Sequence, residues 1–239
     1  MYTRFICKYN PYSFHILPCI YVYLLIFIQI APVRMTAAST SRSIRRKPQQ
    51  HRSRQTVEAV LDAVIRLLKR EGFAALTTNR IAEVAGVSIG SVYQYFPDKR
   101  AVFAALHQRH IERVDRLIAG VLIEHATSPL DDLIRALLEA LVDEHTHDPE
   151  LFALLASEVP HRAKGSRDFA TRLHGAFLLA ISARAREFKK GRDLNKVAFV
   201  VTNMVDSLAH AAALRRPADL SLADVKAEAV EAVLAYLHA

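Results

Sequence analysis

The sequence predicts an all-α protein in which a three-helix N-terminal domain precedes a larger helical domain. Only seven glycines and nine prolines interrupt the 239 residues, while Ala, Leu, Val, Glu and Arg are abundant, and this composition favours helix over strand. Apolar residues recur at helical spacing in most long segments after residue 54. With 51% apolar and 23% charged residues, the chain is able to bury the core of one or two domains.

The net charge of +8 is unevenly distributed along the chain. Residues 1–110 hold 16 Lys and Arg against 5 Asp and Glu, a balance of +11, whereas residues 111–239 hold 16 against 19, a balance of −3. A basic first half beside a mildly acidic second half indicates a polyanionic partner for the first half, with nucleic acid the leading candidate. Both cysteines precede residue 20, which fits a reducing compartment and excludes thiol ligands or nucleophiles from the globular part.

The segment that precedes Met35 differs in composition from the rest of the chain. Tyr9 to Val33 carries no charged side chain, and Ile16 to Ile30 is almost wholly apolar. Three hypotheses compete: translation begins at Met35, the segment is a membrane anchor, or it is a secretion signal. A membrane-spanning helix needs roughly 20 apolar residues, and prolines interrupt this segment. A secretion signal would export the nucleic-acid-binding half of the chain away from its partner. We favour the start at Met35, and therefore a membrane is an unlikely partner.

Residues 35–54 form a polar segment with six Lys and Arg, which we group with the preceding residues as an N-terminal extension and basic arm, 1–50. Its composition is typical of a solvated, disordered tail. A basic arm of this kind also gains sequence-independent affinity when it orders against DNA phosphates or a minor groove. Arg52 and Arg54 are the candidate phosphate contacts of this arm.

The elements that follow are placed by periodicity and by capping residues. Gln55 to Arg70 has helical apolar spacing, Gly72 is its C-cap candidate, and Phe73 and Leu76 are expected to fill the corner after it. The next helix is expected to run from Thr77 or Thr78 to about Ala85.

The segment 77–100 then has the layout of a helix-turn-helix. Gly86 suits a left-handed turn, and Ser88 is expected to cap a short helix that ends at Tyr95 or Phe96. Asp98 is expected to cap a helix longer than twenty residues. The outer face of this segment is predicted to be polar and aromatic, which suits a surface that contacts DNA: Thr78, Ser91, Tyr93, Gln94, Tyr95 and Lys99.

Residues 55–106 resemble the N-terminal domain of the TetR (tetracycline repressor-like) family. The family pattern T-x-x-x-I-A-x-x-A-G-V-S-x-G-x-x-Y-x-[YH]-F-x-x-K is matched from Thr77 to Lys99. The resemblance implies that the second short helix enters the major groove. It places Ser88 at the start of that helix and implies contacts to base edges from Ile89, Gly90, Ser91 and Gln94. It also implies phosphate contacts from Thr78, Tyr93, Tyr95 and Lys99. Ile89 and Gln94 occupy variable family positions, so the operator sequence does not carry over.

The C-terminal half is predicted to be helical throughout. Pro160 to Ser166 is expected to be a connection, Arg184 to Arg192 a basic exposed turn, and Leu222 to Leu237 a final amphipathic helix. Val197 to Leu214 is apolar nearly all round, so it should be buried in a core or against another subunit. Within it, Asn203, Asp206 and His210 share a face. They are either polar groups satisfied in the core or at a dimer interface, or a tentative effector pocket.

The eleven histidines include a group near His145 with the sequence HTHD. A metal site needs three or four convergent ligands, and this group has the pattern of a helix end and its exposed loop. We therefore expect no metal and no cofactor.

These observations predict a DNA-binding regulator with three parts: the extension at 1–50, a helix-turn-helix domain at 51–100, and a helical ligand-binding and dimerisation domain at 101–239. The resemblance implies a cytoplasmic homodimeric repressor that binds a palindromic double-stranded DNA operator and is released by a small-molecule effector. Two alternatives are a membrane-tethered regulator of the same type and a helical enzyme with a helix-turn-helix appendage. The enzyme is disfavoured because the sequence has no glycine-rich phosphate loop, nucleophile elbow or convincing carboxylate pair.

Overall fold

The computed structural model describes residues 51–159, 164–188 and 190–239. These residues form helices joined by short turns, with no strand in the described ranges. The bounds are α1 His51–Glu71, α2 Thr78–Ala85, α3 Ile89–Tyr95, α4 Lys99–Glu124, α5 Leu130–His147, α6 Pro149–Glu158, α7 Lys164–Ala183, α8 Leu194–Leu214 and α9 Leu222–His238, with single 3-10 turns at Phe73–Ala75 and Ala185–Glu187. The all-α prediction is confirmed. The predictions for residues 1–50 lie outside the described residues.

A first core cluster joins the three N-terminal helices to the start of α4. It contains buried apolar side chains of α1. It also contains Leu76, Ile81, Val92 and Phe96, and each of these four is at most 1% exposed. The helix α6 adds its own apolar side chains to the same cluster, although α2 to α5 lie between it and α1 in the sequence. The N-terminal core is therefore completed by a segment from the second half of the chain.

A second core cluster joins the end of α4 to α5, α7, α8 and α9. The long helix α4 contributes to both clusters, with Phe103 and Leu106 in the first and Val114 and Ile118 in the second. A continuous helix of 26 residues transmits a displacement along its axis, because each turn is hydrogen-bonded to the next. The two clusters are thus mechanically joined through α4.

The helix α8 is buried on one side only. Val197, Val201 and Val205 are at most 2% exposed, whereas Phe199 is 61% exposed. By length and composition alone, α8 is long and apolar enough to cross a bilayer, and no other helix among the described residues is. The core helix of a soluble protein passes the same test. Burial in the core accounts for one face of the predicted all-round apolar helix, and the second face presents Phe199 to the surface.

Two local predictions in the C-terminal half are wrong. The helix α7 begins at Lys164, so it takes up the end of the predicted connection, of which residues 160–163 lie outside the described ranges. Arg184 is not part of an exposed turn: it is 8% exposed. Its guanidinium donates to the carbonyl oxygens of His125, Ala126 and Ser128 after α4, and to that of Ala180 in the preceding helix α7.

Candidate nucleic-acid interface

Side-chain caps set the ends of the short helices α2 and α3. The Thr77 hydroxyl accepts a hydrogen bond from the backbone N–H of Arg80 at 3.2 Å, and the Ser88 hydroxyl accepts one from the N–H of Ser91 at 3.0 Å. Between the two helices, Gly86 has φ 68°, a left-handed conformation that other residues adopt only at a cost. These contacts confirm the predicted caps and give a tight turn.

Hydrogen bonds and ion pairs join α2 to α1, and α1 to α4. Arg66 donates from Nη2 to the carbonyl oxygen of Val84 at 3.0 Å, which ties the end of α2 to α1. Arg80 pairs with Glu71 at 2.6 Å, and its hydrogen bonds lower the pKa of the Glu71 carboxyl. On the opposite side, Arg109 of α4 lies 2.7 Å from Asp62 of α1. These contacts tie α2 to α1 and α1 to α4, and the fully buried Val92 packs α3 on the first core cluster.

The predicted DNA contacts gather on the outer surface of α2 and α3. Ile89 is 39% and Tyr93 is 43% exposed, and Ser88, Gly90 and Gln94 are also exposed, while Ser91 and Thr78 are half-buried. The hydroxyl oxygens of Thr78 and Tyr93 are 3.2 Å apart, which joins one helix to the other. The hydroxyls of Ser88 and Ser91 are 2.8 Å apart at the start of α3. Small and hydrogen-bonding side chains of this kind suit base edges and phosphate oxygens.

Tyr95 is not on this outer surface. It is 6% exposed and belongs to the first core cluster, so its predicted outer placement is wrong. The reason is helical geometry: Tyr95 and Phe96 follow the fully buried Val92 by three and four residues, and these spacings share one helix face. The ring therefore packs inward.

Lys99 begins α4 at the edge of the outer surface, and its surroundings were not predicted. The Lys99 ammonium lies 4.0 Å from the centroid of the Phe73 ring and 5.4 Å from that of Phe103. The expectation that Phe73 fills a corner of the core is wrong, because its ring is 45% exposed. No sequence signal links Phe73 to Lys99, since α2 and α3 lie between them in the chain.

Of the two arm residues, Arg54 is exposed in the first turn of α1. The side chain of Arg52 lies outside the described part of the chain, as do the arm residues before it.

The three candidate pocket residues on α8 do not converge. Asn203 is exposed, and its Nδ2 donates to the carbonyl oxygen of Phe199 on its own helix at 2.7 Å. Asp206 lies 3.3 Å from Nδ1 of His210. The His210 ring packs on one ring from α5 and one from α6. Asp206 and His210 are thus brought together, and Asn203 is separate from them.

His210 is part of a group of aromatic rings that we call the histidine stack: His110 of α4, His145 of α5, Phe152 of α6 and His210 of α8. Ring centroids are 4.3 Å apart for His145 and Phe152, 4.9 Å for His145 and His210, and 5.1 Å for Phe152 and His210. His110 lies 5.4 Å from His145. The stack therefore joins the four helices α4, α5, α6 and α8.

Burial keeps two of these imidazoles neutral. Desolvation, with smaller contributions from neighbouring imidazole and cationic groups, lowers the pKa of His145 to about 3 and that of His110 to about 4. His145 is 4% exposed, and its Nδ1 has no hydrogen-bond partner within the described ranges. The prediction of an exposed helix end at His145 is wrong for this residue. Among the described residues, no three His, Cys, Asp or Glu side chains are grouped so as to hold a metal ion.

A two-helix unit with an exposed polar face, supported by a third helix and followed by a helical bundle, defines a DNA-binding regulator. Two family models match the chain. One describes bacterial regulatory proteins of the tetR family and matches residues 60–106, and the other describes a tetracyclin repressor-like C-terminal domain and matches residues 129–237. The chain belongs to the TetR family of transcriptional regulators.

Individual proteins agree with this assignment. The chain is 30% identical over 176 residues to the nucleoid occlusion factor SlmA of Haemophilus influenzae, covering 70% of this chain and 73% of that protein. It is 28% identical over 126 residues to SlmA of Actinobacillus pleuropneumoniae, and it spans 56% of that protein's length. A TetR transcription regulator from Haloarcula marismortui has the same fold, with a TM-score of 0.58, 24% identity, and coverage of 77% of this chain and 97% of that one. The family is one of DNA-binding regulators, not of enzymes.

Proposed function

We propose that this regulator is a repressor that binds a palindromic operator as a homodimer and leaves it when a small molecule binds the C-terminal half. The observation that carries the proposal is the pairing of a rigid, capped α3 with an exposed polar surface. Gln94 is exposed on that surface and has the amide geometry that pairs with adenine, whereas Thr78, Tyr93 and Lys99 suit phosphates. Tyr95 supports them from the core.

Dimerisation is supported by the exposed side of α8. Phe199 is 61% exposed on the side of α8 that faces away from the core, and exposed apolar side chains mark interaction sites when they form a contiguous patch. His174 of α7 lies beside it, with ring centroids 6.3 Å apart. A two-fold interface here would set two α3 helices at a fixed separation, as a palindromic site requires. Sedimentation of the protein and of Phe199→Glu tests this step, and a monomeric natural protein would contradict it.

Effector control is supported by the way α4 joins the two core clusters. A molecule that binds one arrangement of α4 to α9 better than another shifts the position of the first cluster, with coupling that is typically about 1–3 kcal/mol. Asp206 and His210 remain our candidates for polar contacts to such a molecule, with Asn203 the weaker choice because its amide donates to its own helix. Alanine variants that keep DNA affinity but lose release by the effector would support these assignments.

The central experiment is selection of bound sequences from a randomised DNA duplex pool, followed by affinity measurements on the selected sequence and on a scrambled one. Gln94→Ala should reduce the ratio between the two affinities, by about tenfold for one lost base contact. Lys99→Ala should weaken both alike and reduce the salt dependence by about one phosphate per protomer. If neither variant altered DNA binding, the proposed interface would be refuted.

A second candidate function comes from the relatives, which are described as nucleoid occlusion factors. The aligned 176 residues with the H. influenzae protein extend well beyond the helix-turn-helix, so the similarity includes the regulatory half. Mapping bound sites across the chromosome separates the two candidates. A few sites beside genes whose transcripts rise when the protein is deleted indicate a repressor, and many dispersed sites without such changes indicate an occlusion-type role.

A further inference from the structure

We propose that Phe73 is a positioning residue for DNA binding, because its exposed ring holds the ammonium group of Lys99 where it meets a DNA phosphate. The inference rests on the proposed function of Lys99, and it adds the contact that restricts this flexible side chain before DNA binds. It assigns a role to a residue whose exposure the packing of the fold does not explain.

The geometry around Lys99 is that of a cation held over aromatic rings. Its Nζ lies 4.0 Å from the Phe73 centroid and 5.4 Å from the Phe103 centroid, both inside the range of about 6 Å in which the ring quadrupole attracts a cation. The two rings support each other, with centroids 6.2 Å apart and planes inclined by 29°. Phe103 is 2% exposed, so the outer ring rests on a buried one.

The position of Phe73 is set by the backbone. It opens the 3-10 turn after α1, and the preceding Gly72 has φ 75°, a left-handed conformation that turns the chain at this point. The next core residue, Leu76, is 1% exposed and anchors the other end of the turn. The Phe73 ring is therefore held between two fixed points, although 45% of its surface is exposed.

The half-exposed Phe73 ring lies between the buried Phe103 ring and the Lys99 ammonium group. A free lysine side chain loses considerable rotamer entropy when it is immobilised on a phosphate. A ring that already restricts the ammonium reduces that loss on binding, which is preorganisation. A cation over a ring face also keeps most of its N–H donors directed outward, where a phosphate oxygen is able to accept them.

Lys99 begins α4, beside the outer surface of α3. Its neighbour Asp98 is occupied as the cap of α4, accepting from the N–H of Ala101 at 2.9 Å. The aromatic pair is the contact that the structure shows for the ammonium group. Removing the outer ring should therefore loosen the hold on Lys99 and leave the cap of α4 in place, while Phe103 stays in the core.

The test is a double-mutant cycle with Phe73→Leu and Lys99→Ala. The DNA probe is a mixed-sequence duplex of about 30 base pairs, which is long enough for two half-sites one helical turn apart. Phe73→Leu should weaken binding about twofold to fivefold for each protomer engaged, the range of an exposed cation–π contact converted to an affinity ratio. In the Lys99→Ala background the same substitution should have no effect, because the group that the ring positions is gone.

Two matched variants separate positioning from folding. Phe73→Tyr keeps the ring and should retain the natural affinity, whereas Phe73→Met is a second apolar replacement without a ring and should behave as Phe73→Leu does. Thermal unfolding of each variant shows whether the fold persists, as expected for a half-exposed site.

The outcomes distinguish the inference from the function on which it rests. If the natural protein does not bind the duplex, or Lys99→Ala binds as well as the natural protein, then the proposed interface fails and the inference fails with it. If Lys99→Ala weakens binding but Phe73→Leu does not, the positioning role alone is overturned. An equal loss from Phe73→Leu with and without Lys99 would also overturn it, because Phe73 would then act by another route.

Discussion

Acidification should destabilise this protein through the histidine stack. His145 and His110 have pKa values near 3 and 4 in the folded chain because burial disfavours their charged forms, against 6.5 for an ordinary histidine. Well above pH 6.5 neither the folded nor the unfolded chain protonates these rings. As the pH falls below 6.5 the unfolded chain gains protons that the folded chain excludes, so the free energy of unfolding decreases. The loss is complete only below the folded pKa values.

The size of the effect follows from the two shifts. Each unit of pH between the unfolded and folded pKa costs about 1.4 kcal/mol per histidine. Lowering the pH from about 7.5 to about 5 should therefore remove about 2 kcal/mol for each ring, or about 4 kcal/mol for the pair. Both rings are largely buried, so solvent screening does not reduce this value greatly.

The assay is urea unfolding at both pH values and at one protein concentration, because subunit association also affects apparent stability. His145→Phe keeps a ring in the stack and removes the titrating group, so about half of the pH-dependent loss should disappear. The variant also removes a buried Nδ1 that has no hydrogen-bond partner within the described ranges. Phe152→Leu is the control, which should lower stability at both pH values and retain the difference between them. Equal pH-dependent losses in the natural protein and His145→Phe would refute the reasoning.

Three further substitutions test other parts of the structure. Gly90→Ala should fold at least as well as the natural protein, since an added Cβ would meet only the Ser88 hydroxyl at 3.7 Å and alanine favours helix by about 1 kcal/mol; weaker DNA binding in a gel-shift assay would then show that the duplex needs the space. Asp98→Ala removes the cap of α4 and should cost about 1 kcal/mol in urea unfolding, with Asp98→Asn as the conservative control. Arg184→Met should cost about 3 kcal/mol in the same assay, because it leaves the buried carbonyl group of Ala180 and the part-buried ones of His125 and Ser128 without this donor. A loss below about 1 kcal/mol would mean that water replaces the guanidinium.

Local features of the fold were predicted correctly because their causes lie within a few residues. The caps at Thr77, Ser88 and Asp98 and the turn at Gly86 depend on side chains that bond to nearby backbone groups, so neighbouring sequence determines them. The inward placement of Tyr95 also follows from its three-residue spacing to Val92, although the polar hydroxyl group of a tyrosine favours an outer position.

Features that depend on distant contacts were not predictable in this way. The environment of His145 is made by rings from α4, α6 and α8, which are brought together only when the chain folds. Arg184 has the composition of a surface turn, and its burial depends on carbonyl groups near residue 126. In the candidate interface, the outer surface of α3 was predicted from the family pattern, whereas the ring under Lys99 required the folded positions of both residues.

The contribution of α6 to the first core cluster has a consequence for how this protein is divided into parts. A gene segment that ends soon after α4 encodes the DNA-contacting surface but omits Leu151, Leu154 and Leu155, which pack on that core. Lys69 of α1 would also lose its ion pair with Asp148, whose carboxylate lies 2.8 Å away and caps α6. The unit able to fold and to be exchanged between proteins is therefore discontinuous in sequence. Recombination that preserves its DNA-binding module must carry the helix near residue 150 as well as the helices near residue 80.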